Sequence, residues 1–70
     1  MNYKEITDYE FENNRRPFMA TEECVALDII DDILQRQGLC QEWEQIDEEI
    51  QNEIFKEWAR IIADNWVNHA

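Results

Sequence analysis

One glycine, one proline, one histidine and two cysteines are all this 70-residue chain holds of the residues that build many small-protein active sites. A glycine-rich phosphate loop cannot be made from Gly38 alone. His69 stands beside the C-terminus, where fraying is expected, and is read as inert. No Glu-x-x-His pair is present to supply a di-metal site in a helical bundle. Cys24 and Cys40 form no CxxC pair and fall in different segments. Cys24 is near a helix N-terminus, a place that can lower a thiol pKa, but it has no partner base or acid, so packing is its role. No N-terminal run has the parts of a signal peptide, and no apolar stretch approaches membrane-spanning length. The expectation is a cytoplasmic chain with both thiols reduced and no structural disulfide.

Positive charge is the other shortage. Six Lys and Arg stand against seventeen Asp and Glu, for a formal charge of −11. Direct binding to nucleic acid or to an anionic membrane needs a positive surface and is not expected. Acidity without apolar residues would indicate disorder, but here the apolar residues are plentiful and periodic. With one Gly, one Pro and a majority of helix formers, the chain reads as all-α. A single domain of this length buries only about 60% of its unfolded surface, so self-association or partner binding is the remaining way to gain buried area.

The spacing predicts a helical hairpin or three-helix bundle with a long C-terminal helix and a less regular N-terminal arm over 1–20. In the arm, Thr7 with Glu10 fits a capping box. Asn13 to Pro17 reads as a loop, and Tyr9, Phe11 or Phe18 is expected to pack on the helices. A helix is predicted over 21–37, with Thr21 as N-cap and Glu22 and Glu23 in its first turn. Gly38 is placed for the left-handed C′ position, with Leu39 touching Leu34. Val25, Ala26, Leu27, Ile29, Ile30, Ile33 and Leu34 form its apolar side, and Asp28, Asp31, Asp32 and Gln35 the opposite stripe. Residues 39–46 are a connector or short helix that packs Trp43 and Ile46.

The long helix is predicted over 47–68, with Asp47 as N-cap and Glu48 and Glu49 behind it. Its apolar arc spans roughly 200°, more than one neighbour covers. Ile50, Ile54, Trp58 and Ile61 are expected to pack on Ile30, Ile33 and Leu34. Phe55, Ile62 and Trp66 are left as a partner-binding edge, together with the acids Asp28, Asp31, Asp32, Glu48 and Glu49. Glu53–Lys56, Glu57–Arg60 and Arg60–Asp64 have spacings that support the helix modestly.

No catalytic, metal-binding or cofactor-binding motif is present. The loop spacing and glycine of a calcium-binding EF-hand are missing around Asp28, Asp31 and Asp32, which read as a solvated stripe. The expected function is therefore a non-catalytic protein-interaction module that occupies a basic or nucleic-acid-binding surface of a partner protein. The alternative is a homo-oligomer whose helices bury each other's wide apolar faces. In size, acidity and helical make-up the chain resembles the small phage-encoded proteins that inhibit host defence or transcription, some of which imitate the charge of DNA. That gross resemblance, which no motif carries, implies an anti-defence inhibitor such as an anti-CRISPR protein, acting in the host cytoplasm.

Overall fold

A computed structural model describes residues 1–68. His69, read above as inert, lies outside the described residues. Over the described residues the chain is all-α, with four helices: α1 (Tyr3–Asn13), α2 (Thr21–Leu34), α3 (Leu39–Glu44) and α4 (Glu48–Asn68). At about 1.5 Å per residue α4 is a rod of roughly 31 Å, close to the 36 Å long axis of the molecule.

The N-terminal arm carries a helix of its own, α1. Asn2 caps α1, its side-chain oxygen accepting from the Glu5 N–H at 2.8 Å. Asn14 closes the helix in the left-handed conformation, φ 56°, with its N–H donating to Glu10 O. Thr7 does not cap. Its hydroxyl donates to Lys4 O inside the helix. Tyr3 and Ile6 face the core; of the three aromatics offered for packing, Tyr9 is half-buried and Phe11 and Phe18 are almost fully exposed. The reason lies at the start of α1, where the Tyr3 N–H donates to Asn52 Oδ1 of α4 at 2.9 Å. That bond turns Tyr3 and Ile6 inward, and Phe11 ends up on the outer side.

α2 begins at Thr21 as predicted, but the cap residue is Ala20 and no side-chain cap bond forms. It ends at Leu34, three residues before Gln37. Gly38 does take positive φ, at 93°, but it serves as the entry to α3, with its N–H donating to Gln41 Oε1 at 2.7 Å. Leu39 is exposed rather than closing a Schellman contact. The break before α4 falls where expected: the Gln51 N–H donates to Asp47 O at 2.9 Å. Gln51 Nε2 also donates to Trp43 O, which ties α3 to α4.

α2 packs along α4, α3 against α2, and α1 against α4. Thr21 and Glu22 share a depression with Trp66, and Ile29 shares another with Trp58 and Ile61, so α2 and α4 run antiparallel. The core is Tyr3, Ile6, Ala26, Leu27, Ile30, Trp43, Phe55 and Ala59. Tyr3 meets Trp43 edge to face at 5.7 Å and tilts over Phe55 at 5.9 Å, and such pairs add about 0.5–1.5 kcal/mol each beyond their burial. Burial pushes the Tyr3 phenol above its ordinary pKa, partly offset by the Trp43 side chain.

This packing overturns the assignment of the edges of α4. Phe55, expected at a partner-binding edge, has 0% exposure and sits at the centre of the core. Ile50 and Ile61, expected inside, are 44% and 43% exposed. Ile54 and Trp58 are half-buried against the core. The small side chains of Ala26 and Ala59 explain the rotation. They allow α2 and α4 to approach along the line that carries Phe55 and Ile30, leaving the isoleucine edge outside.

Candidate functional site

The α2–α4 hairpin has two sides, and α1 covers one of them. On α4, Asn52 and Lys56 lie about 60° and 100° to one side of Phe55. Asn52 accepts from Tyr3, and Lys56 Nζ donates to Met1 O at 2.8 Å. On α2, Asp31 lies on the same side and accepts from Arg16, which follows α1. The other side of the hairpin carries Ile54 and Ile61 of α4, about 100–120° from Phe55 the opposite way, and Ile29 of α2. α3 borders this side at one end, where the Trp43 ring lies 6.5 Å from that of Trp58. Ile29, Trp58, Ile61 and Ile62 line a shallow, almost wholly apolar depression on this side of about 220 Å³. A second depression, lined by Thr21, Glu22, Ile62, Ala63 and Trp66, lies between the start of α2 and the end of α4. Ile29 is 42% and Ile61 43% exposed, so apolar side chains stand in water along this side.

Acids border it. Glu57 and Asp64 flank Ile61 one turn before and after, both paired to Arg60, which lies 2.7 Å from Asp64. Arg60 holds the Glu57 carboxyl below its ordinary pKa. Asp32 lies one turn from Ile29 and pairs with Arg36 at 2.8 Å. Glu22 and the exposed Glu53 complete an acidic excess along the two rims.

The sequence-predicted site residues do not form one cluster. Ile62, half-buried, lines the uncovered side; Trp66 is exposed near the end of α4 on the line of Phe55, and Phe55 itself is in the core. Asp28 and Asp31 are drawn onto Arg16 at 2.6 and 2.8 Å, with Glu10 at 3.7 Å, so part of the acidic stripe is an internal ion cluster. In that cluster burial raises the Glu10 carboxyl pKa, Asp31 adds to the rise, and Arg16 opposes it. Glu48 lies 3.8 Å from Lys4. It shares a shallow cleft with Asn2, Lys4, Glu49 and Asn52, and helix rise puts it about 27 Å from Trp66. Ile29, Ile50 and Ile61 were missed as surface residues. The signal that marks Ile29 is its place between Asp28 and Asp32, at the margin of the apolar arc.

Both cysteines are free thiols, and Cys40 sits above its ordinary pKa through desolvation and the nearby Glu44 carboxylate. Among the described residues no three His, Cys, Asp or Glu side chains group as a metal site, and no helix is long and apolar enough to cross a membrane. No known protein family, curated protein or solved structure matches the chain.

Proposed function

We propose that the protein is a small acidic, non-catalytic interaction module that binds a partner protein through the uncovered side of the α2–α4 hairpin. The observation that carries this reading is the row of exposed apolar residues, Ile29 of α2 with Ile50 and Ile61 of α4, set between acidic rims. Removing such residues from water favours association, and Trp58 in the depression is of the residue type that often anchors a partner. The acidic rims and the −11 charge select a partner with a basic surface and speed its approach. Basic surfaces that hold nucleic acid fit this description, which supports an inhibitor or regulator of the kind some phages encode.

The test is affinity capture with wild type and Ile61→Ser at low and high salt. The reading expects a basic protein that Ile61→Ser captures poorly, that high salt releases and that duplex DNA displaces. Capture insensitive to both salt and Ile61→Ser would refute it. A homo-oligomer would use the same apolar side chains, but two copies each of charge −11 repel one another. Sedimentation at micromolar concentration decides between them: a species of 8.5 kDa supports the partner reading, and a dimer the alternative.

A further inference from the structure

Resting on that reading, we infer that the occupant of the uncovered side is a single amphipathic helix of the partner, apolar on the face it buries and Lys- or Arg-rich along its flanks. Two observations point to a helix. The hairpin presents two flanks, and the covered one takes a helix, α1, seated over Phe55 and tied to Asn52 and to Asp31 through Arg16. The opposite flank is built in the same way, from the ridges of two antiparallel helices with an apolar floor at Ile29, Trp58, Ile61 and Ile62. From Ile50 to Ile61 it runs about 17 Å, the length of a helix of roughly 11 residues. Helices seated in such grooves anchor through side chains at spacings of three, four and seven.

Charge decides the character of the flanks. α1 is held to its side by Arg16 on Asp31 and Asp28 and by Lys4 near Glu48, cations of the α1 segment meeting acids of the hairpin. On the uncovered side the acids are Glu22, Asp32, Glu53, Glu57 and Asp64, and Arg36 and Arg60 answer only some of them. A second copy of this chain, of charge −11, would bring the same flank with the same acidic rims, and is the wrong sign. A helix carrying Lys and Arg beside its apolar stripe completes on this flank what α1 and Arg16 complete on the other.

The experiment titrates a designed peptide of about 11 residues into the intact protein and follows tryptophan fluorescence and amide chemical shifts. The peptide carries Leu at positions spaced three and four apart and Lys or Arg elsewhere; a scrambled peptide of identical composition is the control. Expected are one-to-one binding, helix formation by the peptide, and affinity at least tenfold above that of the scrambled peptide. Ile29→Ser and Ile61→Ser, shown by their melting curves to be folded, should each weaken binding by tenfold or more, and Phe11→Ser should leave it unchanged. Equal binding of the two peptides, or equal effects of Phe11→Ser and Ile61→Ser, would overturn the inference. Should Ile61→Ser abolish capture of a basic protein while no helical peptide binds, the helix is wrong and the function stands. If neither depends on Ile61, both fail.

Discussion

Phe55 and Trp66 lie three turns apart on one line of α4, yet their surroundings are opposite. Phe55 is enclosed by Tyr3 and the α2 residues, so Phe55→Ala should cost about 3–5 kcal/mol, enough to unfold much of the population of so small a domain. Trp58, half-buried and 6.5 Å from Trp43, should cost less when truncated. Trp66→Ala should leave melting nearly intact. Urea unfolding followed by circular dichroism tests the order, and a Trp66→Ala loss as large as that of Phe55→Ala would contradict it. Glu10 makes a pH prediction. Its folded pKa is raised, so folding favours the protonated form. Its contribution is complete below the unfolded value, about 4.3, and is lost as pH rises through the folded value. Glu10→Gln should remove that part of the pH dependence and leave stability at pH 7 equal or higher by up to about 0.5 kcal/mol. A clear loss at pH 7 in urea titrations would mean that the Arg16 contact outweighs burial.

Among the helices, α1 has the most consequence for its size. Without residues 1–13, Phe55, Trp43 and Ile30 lose the cover of Tyr3 and Ile6. The truncated chain should lose cooperative melting, whereas Phe11→Ser should melt as wild type does; a truncated chain that still melts sharply would show the hairpin sufficient. This helix was also the least legible in the sequence. Asn2 as cap and the Tyr3–Ile6 spacing were its signals, but short helices are marginal alone, and the Asn52 bond that orients this one comes from 49 positions away. The fold class, the start of α2, the break at Asp47 and the extent of α4 were legible, because caps and periodicity are local. Which part of the 200° arc of α4 is covered was not. Phe55 and Ile61 have similar hydrophobicity, and only packing against Ala26, Ile30 and Tyr3 separates them. At the candidate site, only Ile62 of the edge named from sequence lines the apolar depression, and the Asp28–Asp31 pair was not seen as a ligand of Arg16. Guanidinium reach across 15 residues follows from the tertiary fold.

At the scale of the whole molecule, one side of an acidic helical hairpin is left in water, and this feature carries the proposed function. Thirteen acids against three bases after residue 20 ensure that any partner on that side meets negative charge around an apolar centre. Raising the ionic strength should therefore slow association more than it speeds dissociation, since screening acts on approach. Stopped-flow kinetics on the captured partner would show this, and an association rate independent of salt would contradict it. The most direct measurement places a photo-crosslinking amino acid at position 61 in one variant and at position 11 in another. Both are exposed, but only Ile61 lies on the uncovered side. In extracts of its native cell, the position-61 variant should crosslink to a basic protein, and the position-11 variant should not. Crosslinks from position 61 only to second copies of the chain, or equal yields of one product from both positions, would contradict the account.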